Sequence, residues 1–496
     1  MSMTPMSRPQ LCATVTAETT AELRSRRDEA SCEDGADLVE LRLDTVRDLD
    51  LEGALAGRTR PVLVTCRPIW EGGQFTGAED ERRAILRRAL ELGADWVDLE
   101  WRGGFEALIA ERQGRNIVLS MHDFEGTPDD LEDRYRSMRG TGAEVVKMAV
   151  RSQSACDVVR LLRLGQARRG ERLVLVGMGP AGVPTRLLPG HFGSCWTYAG
   201  EAVAPGQVCL TEMVHRYRFK HTSASTVVYG VAGAPIGHSL SPPMHNAAFE
   251  AAGLDAIYVP FEATDADDLM ALADGLGVAG LSVTAPFKES ILDHLREVDA
   301  LGQQVGAVNT VRADREGWVG LNTDVPGFLA PLDTRGDLSG VRSAVLGAGG
   351  AARAVAVALG SRGAAVTVCA RRPERATVVA RLAGGTVGTW PPSPGSWDLL
   401  VNTTPVGTAP GVDQTPVPAA ALRGGTTVYD LVYNPGRTRL LREAAAAGCE
   451  AIGGLDMLVA QAERQFEWWS GARPSAELLK TAALAALADQ GEAESA

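Results

Sequence analysis

The sequence predicts an α/β protein of two units: a (β/α)8 TIM barrel, then a second α/β unit holding a Rossmann dinucleotide-binding domain. Three observations carry this expectation. Eight strand-like runs alternate with helical patterns before residue 221. A polar seam from Phe219 to Ser225 then gives way to a new apolar strand. Further on, the glycine-rich turn Gly347-Ala-Gly-Gly-Ala-Ala352 follows one strand and opens a helix. At 496 residues the chain also exceeds one hydrophobic core, because cores stop growing at roughly 250 to 300 residues.

The eight runs are Leu11 to Ala17, Leu38 to Leu43, Pro61 to Arg67, Trp96 to Glu100, Ile117 to His122, Val145 to Val150, Arg172 to Gly177 and Ser194 to Ala199. Helical stretches such as Ala78 to Leu92 separate most of them, and strand-helix alternation implies parallel strands joined by right-handed crossovers. Eight such units close into a barrel whose active site lies where the strands end. Glu40, Arg42, Arg67, His122 and Lys147 fall at or near those ends. Any one of them alone reads as a satisfied structural group; their convergence on one mouth reads as a site. Lysine is scarce, with only Lys147, Lys220, Lys288 and Lys480 in the chain. Lys147 and Lys288 adjoin apolar strand-like residues, where an ammonium is expensive to desolvate and has a chemical reason to be present. Lys220 and Lys480 read as solvated.

Val-Glu-Leu-Arg-Leu-Asp (39 to 44), Cys-Arg-Pro-Ile-Trp-Glu-Gly-Gly (66 to 73), Leu-Ser-Met-His-Asp-Phe (119 to 124), Val-Lys-Met-Ala (146 to 149), Phe-Gly-Ser (192 to 194) and Ala-Pro-Gly-Gln (204 to 207) resemble the successive signatures of the type I 3-dehydroquinate dehydratases. The resemblance implies that Lys147 is the Schiff-base lysine, His122 the proton shuttle and Glu71 the carboxylate orienting it. It also implies that Arg186 grips the substrate carboxylate and that Gln207 closes over the ligand. The chemistry is coherent, because an amine condensed with a ketone acidifies the adjacent C–H and a nearby imidazole can take that proton. Arg42 and Arg67, if they face Lys147, would favour its neutral form. The loop Gly200 to Gly206 reads either as a lid or as an ordinary barrel loop. Val203 stands where the bacterial relatives are expected to carry serine.

In the second unit Val227 to Ala232 reads as a strand, and the loop from Gly233 leads to a helix beginning near Met244. Ser239 and Ser241 in that loop suit helix capping or ligand binding. With Leu281-Ser-Val-Thr-Ala-Pro-Phe-Lys-Glu289, Gly306-Ala-Val-Asn-Thr-Val311 and Gly320-Leu-Asn-Thr-Asp324, the loop resembles the shikimate dehydrogenase family, which implies a two-lobed unit. By that resemblance Ser239 and Ser241 hold the substrate carboxylate, Thr284 and Asn309 bind ring hydroxyls, and Lys288 with Asp324 is the catalytic pair. Lys288 either donates a proton as hydride arrives or chiefly polarises the substrate oxygen. Ser282 and Phe287 depart from the asparagine and histidine common in bacterial members; serine at the first occurs in plant-type bifunctional relatives.

The turn around Gly347, Gly349, Gly350 and Ala352 has the strand-turn-helix context a dinucleotide fingerprint needs. The next strand ends in Ala370-Arg-Arg-Pro-Glu-Arg375, where Arg371 and Arg372 suit a 2′-phosphate and favour NADP over NAD. Ala370 stands where family members often carry Asn. Stretches around Asn402 and Thr403, Tyr433, and Gln461 resemble the remaining signatures, implying nicotinamide-side contacts from the first and substrate contacts from Tyr433 and Gln461. The expected domains are 1–221 (dehydratase barrel), 226–330 (substrate-binding domain), 331–460 (Rossmann domain) and 461–490 (helices returning to the substrate domain).

A formal charge of -13 argues against nucleic acid or anionic membrane as partner and leaves small molecules. No run of about 18 apolar residues is present to span a bilayer. The eight cysteines form no C-x-x-C pair, which implies a reducing, cytoplasmic setting and no metal site. The reading is a bifunctional enzyme of the shikimate pathway. It would convert 3-dehydroquinate to 3-dehydroshikimate through a lysine Schiff base and then reduce the product with NADPH to shikimate. Two alternatives stay open: a second unit acting on quinate, and a metabolite-sensing regulator that has lost catalysis.

Overall fold

The computed structural model describes residues 8–32, 35–200 and 206–493. Val203 and most of the expected lid loop lie outside the described residues. Close contacts divide the chain into two compact units, Met1–Val228 with Asp255–Gly277, and Tyr229–Leu254 with Val278–Ala496.

The first unit is built on β1 (Gln10–Thr16), β2 (Leu38–Arg42), β3 (Val62–Thr65), β4 (Trp96–Glu100), β5 (Ile117–Asp123), β6 (Val145–Arg151), β7 (Leu173–Met178) and β8 (Trp196–Ala199). They form one parallel sheet in the order β7-β6-β5-β4-β3-β2-β1-β8. A parallel bridge from Leu173 to Ser194 closes the ring. Strand residues are buried on both faces because helices cover the outside and packed side chains fill the inside, and the interior also holds buried polar residues such as Glu40, Asp98, Ser120 and Lys147. The helices are α1 (Thr20–Ala30), α2 (Leu51–Leu55), α3 (Glu79–Glu91), α4 (Glu106–Glu111), α5 (Leu131–Gly140), α6 (Ala155–Ala167) and α7 (Val183–Leu187). In α3, three acidic residues occupy the first turn while Leu86, Ala89 and Leu90 are buried, as the dipole and the apolar stripe require.

The chain continues through β9 (Val227–Gly233), α8 (Ser241–Ala251), β10 (Ala256–Glu262), α9 (Ala266–Leu276), β11 (Gly280–Val283), β12 (Glu297–Val298), α10 (Ala300–Val305), β13 (Thr310–Asp314), β14 (Gly317–Leu321) and α11 (Asp324–Leu329). Asp255–Gly277, inside the span expected for the substrate domain, groups with the barrel residues. The Asp268 carboxylate accepts hydrogen bonds from the first two backbone N–H groups of α6, at 2.9 and 2.6 Å. Within the second unit the strands run β9-β11-β13-β14-β12, with β13 antiparallel to both β11 and β14.

The Rossmann domain follows, with β15 (Arg342–Leu346), α12 (Gly350–Ser361), β16 (Ala365–Cys369), α13 (Pro373–Leu382), β17 (Thr386–Val387), β18 (Leu399–Asn402), β19 (Thr427–Asp430), α14 (Arg439–Ala446) and β20 (Glu450–Ile452). Its strands are all parallel in the order β17-β16-β15-β18-β19-β20. Small apolar residues of α12 (Ala352, Ala354, Val355, Ala358) pack directly on the sheet. Two helices end the chain, α15 (Leu455–Ser470) and α16 (Ala476–Ala493); α15 packs on α11 and α16 on α8. Trp469 of α15 lies against Tyr229 and His245 and donates to the Val311 carbonyl at 3.1 Å, a packing role. Among the described residues no helix is long and apolar enough to cross a membrane.

Candidate active sites

One pocket of the barrel is lined by Glu40, Arg42, Arg67, Glu71, His122, Lys147, Arg186 and Gln207, together with Thr14, Tyr198 and the apolar residues beneath them. All eight polar residues expected there from the sequence therefore converge. Lys147, buried in β6, places Nζ 3.2 Å from Asp98 Oδ2 and 3.9 Å from Glu40 Oε1. The Tyr198 ring lies 4.2 Å from the same nitrogen. Glu40 is held by the Thr14 and Thr65 hydroxyls, at 2.8 and 2.7 Å.

The two arginines expected to act on Lys147 are themselves paired. Arg42 donates twice to Asp44 at 2.9 Å, and Arg67 meets Asp98 at 2.9 Å and Glu100 at 2.7 Å. A buried guanidinium needs a carboxylate partner, so the lysine's nearest charged neighbours are anions. Asp98 and Glu100 were missed in the sequence. Their signal was an Asp-Leu-Glu alternation inside an apolar strand, which sends both carboxylates into the barrel. Ser120, donating to Asp98 at 2.5 Å, completes the buried network.

His122 at the end of β5 accompanies Glu71: its Nδ1 is 3.5 Å from Glu71 Oε1, and its backbone N–H donates to that oxygen at 2.8 Å. Burial, with Arg67 and Lys147 adding, holds the imidazole well below its usual range, so it stands ready as a neutral base. Burial also pushes the Glu71 carboxyl up to about 7. Burial pulls Arg186 down to about 10, still charged at neutral pH.

In the second unit a pocket is lined by Ser239, Ser241, Thr284, Lys288, Asn309, Asp324, Tyr433 and Gln461, with Ser282 and Gln465 at its inner wall. Lys288 Nζ donates to Asp324 Oδ2 at 2.6 Å, and Asn309 Nδ2 donates to the other carboxylate oxygen at 2.8 Å. The α8 helix begins at Ser241, earlier than expected, and its N-cap Leu240 makes no side-chain cap bond. Neither serine is therefore the cap, although Ser239 Oγ accepts from the Ser241 N–H at 3.2 Å. Ser282 donates to Gln465 at 2.8 Å, and Gln465 reaches the Asn309 carbonyl and the Thr310 hydroxyl at 3.2 and 3.0 Å. Gln465 was not foreseen; its signal was a second glutamine four residues after Gln461 on one helix face. Phe287 is buried in the core.

A groove bordering this pocket is lined by Gly347, Gly349, Gly350, Arg371, Arg372, Thr403 and Lys288. A Cβ at Gly349 would meet nothing within 4 Å, so its backbone faces open space at the start of α12, where a pyrophosphate is favoured. Arg371 and Arg372 are exposed just past the end of β16. Two residues expected at the cofactor lie beneath the groove. Ala352, in the first turn of α12, is fully buried against the sheet. Asn402 is also buried, its amide donating to Asp430 at 2.9 Å and its oxygen accepting from Thr404 Oγ1 at 2.7 Å.

A barrel pocket centred on a buried lysine, and a lysine-aspartate pocket bordering a dinucleotide groove, define a two-site α/β enzyme. The comparisons specify which. Residues 11–224 match the model of type I 3-dehydroquinase. Residues 231–311 match the shikimate dehydrogenase substrate binding domain, and 454–484 the shikimate 5'-dehydrogenase C-terminal domain. A chloroplastic bifunctional 3-dehydroquinate dehydratase/shikimate dehydrogenase of Arabidopsis thaliana is 35% identical, over 94% of this chain and 83% of that protein. The NADP+ shikimate dehydrogenase of Methanosarcina mazei is 45% identical, over 52% of this chain and 98% of its own. A solved shikimate dehydrogenase in complex with NADP+ matches with TM-score 0.51 and 34% identity, over 54% of this chain and 97% of that one. The chain belongs to the family of bifunctional 3-dehydroquinate dehydratase/shikimate dehydrogenases.

Proposed function

We propose that Lys147 is the nucleophile of the dehydratase and Lys288 the substrate-oxygen partner of the dehydrogenase. The chain dehydrates 3-dehydroquinate to 3-dehydroshikimate and reduces that product to shikimate with NADPH. The observation that carries the assignment is that two of only four lysines sit in these two pockets, each against a carboxylate.

In the barrel, Lys147 condenses with the substrate ketone and the neutral His122 imidazole takes the proton from the adjacent carbon. Loss of the β-hydroxyl, protonated by the same imidazole, and hydrolysis of the imine then release the enone. Glu71 orients His122, and Arg186 grips the carboxylate as a planar fork. At the second site Ser239 and Ser241 hold the carboxylate, while Thr284, Asn309, Tyr433 and Gln461 surround the ring. Asp324 fixes the Lys288 ammonium, which donates a proton to the substrate oxygen. NADPH, when bound, supplies the hydride. The backbone of Gly347, Gly349 and Gly350 would hold its pyrophosphate, with Arg371 and Arg372 at the 2′-phosphate and Thr403 along the groove. The eight cysteines are free, which supports a reducing, cytoplasmic setting.

The test is chemical. Borohydride added with 3-dehydroquinate should inactivate the barrel and leave the reduced substrate's mass on the peptide holding Lys147. An unmodified Lys147 in protein that turns over normally would overturn the assignment.

A further inference from the structure

We propose that Asp98 is the counter-ion of the covalent intermediate: it keeps the imine nitrogen on Lys147 protonated, and so electrophilic, at working pH. The inference rests on the assignment of Lys147 above. Asp98 Oδ2 lies 3.2 Å from Lys147 Nζ, and its side chain is fully buried. Its other oxygen is claimed by Arg67 at 2.9 Å and by Ser120 at 2.5 Å. The carboxylate is thus fixed from two sides and can follow the lysine nitrogen without reorganising.

The charge balance selects the step at which Asp98 matters. An ammonium and a ketone give an iminium and one water with no change in net charge: the C–N bond forms and the carbonyl oxygen leaves as water. A buried anion therefore costs that overall conversion nothing. The intermediate's vulnerable step is loss of the N–H proton, which leaves a neutral imine that no longer acidifies the neighbouring carbon. An anion about 3 Å away in a water-poor pocket opposes that loss.

The groups around the nitrogen are Cys12 (β1), Glu40 (β2), Arg67 (just past β3), Asp98 (β4), His122 (β5) and Tyr198 (β8). Burial keeps the thiol and the phenol protonated, and His122 is neutral. Glu40 is the more distant anion at 3.9 Å. Arg67, with Lys147 adding, holds the Asp98 carboxyl below its usual range, so it stays charged. The Tyr198 ring, 4.2 Å from Nζ, favours the same cationic state.

Asp98→Asn should move the basic limb of the dehydratase kcat profile down by about 1 to 3 pH units while changing KM little. Cyanoborohydride capture at Lys147 should fall above neutral pH and recover on acidification, because that weaker hydride donor reduces the iminium and not the neutral imine; Asp98→Glu should restore part of both. An Asp98→Asn profile equal to that of the parent, with normal capture, overturns the proposal. Should Asp98→Asn not fold, infrared difference spectra of the unmodified protein with 3-dehydroshikimate decide it. A C=N band shifted by D2O at pH 9 supports Asp98, and an unshifted band overturns it. Absence of any adduct on Lys147 in the parent protein would instead refute the underlying lysine assignment.

Discussion

At the scale of single residues, the barrel site depends on groups whose charge is set by burial. Glu71 is the clearest case, because burial raises its carboxyl from 4.5 to about 7. A carboxyl whose folded value exceeds its unfolded one holds its proton more tightly when folded. Its contribution to stability is therefore full below about pH 4.5 and is lost as the pH rises through about 7. Above pH 7 the charged form costs on the order of 3 kcal/mol. Glu71→Gln should raise the denaturant midpoint of the barrel at pH 8 but not at pH 4, while slowing dehydration because His122 loses its anionic partner. Equal midpoints for the two proteins at pH 8 would show that the buried charge costs nothing. The Ser282 departure also becomes intelligible at this scale: Gln465 reaches the shorter hydroxyl and ties it to the backbone beside Asn309.

At the scale of elements, the turn between β15 and α12 has one glycine that its own packing demands and one that only a bound cofactor would demand. Gly347 has φ +119, and a Cβ there would lie 2.4 Å from Thr403 Oγ1. An alanine would be strained in backbone and side chain alike. Gly349 has ordinary extended backbone and open space where its Cβ would point. Gly347→Ala should therefore lower the melting temperature of the second unit. Gly349→Ala should leave melting unchanged and raise KM for NADPH at least tenfold, because the methyl occupies space the pyrophosphate needs. A Gly349→Ala protein with unaltered KM would place the phosphates elsewhere. The strand β4 teaches a related point: its Asp98 and Glu100 carboxylates are tolerated in a buried strand because Arg67 and Arg82, with Lys147 beside Asp98, balance their charge.

At the scale of the whole molecule, Lys147 and Lys288, the two lysines proposed as catalytic, belong to different compact units, so each step should fail alone. Given 3-dehydroquinate and NADPH, Lys288→Ala should accumulate the ultraviolet-absorbing enone and oxidise NADPH at least a hundredfold more slowly. Lys147→Ala should make no enone from 3-dehydroquinate, yet oxidise NADPH normally when 3-dehydroshikimate is added. Loss of that second activity in a folded Lys147→Ala protein would point to one composite site.

The sequence by itself determined the strand-helix alternation, the eightfold count, the glycine turn and the residue types at each strand end, because these depend on local periodicity and on motifs within a few residues. It also brought Glu40, Arg42, Arg67, His122 and Lys147 to one pocket, since strand ends in a closed parallel barrel have no other place to converge, while Glu71, Arg186 and Gln207 were added by the family resemblance. Tertiary structure alone decided what those residues touch. Arg67 and Lys147 share Asp98 only because β3, β4 and β6 are brought together across tens of residues. Asn402 turns inward because Asp430 on the neighbouring strand accepts its amide. Pairings of this kind depend on non-local packing and on the need to satisfy every buried polar group, a constraint that no short window of sequence contains.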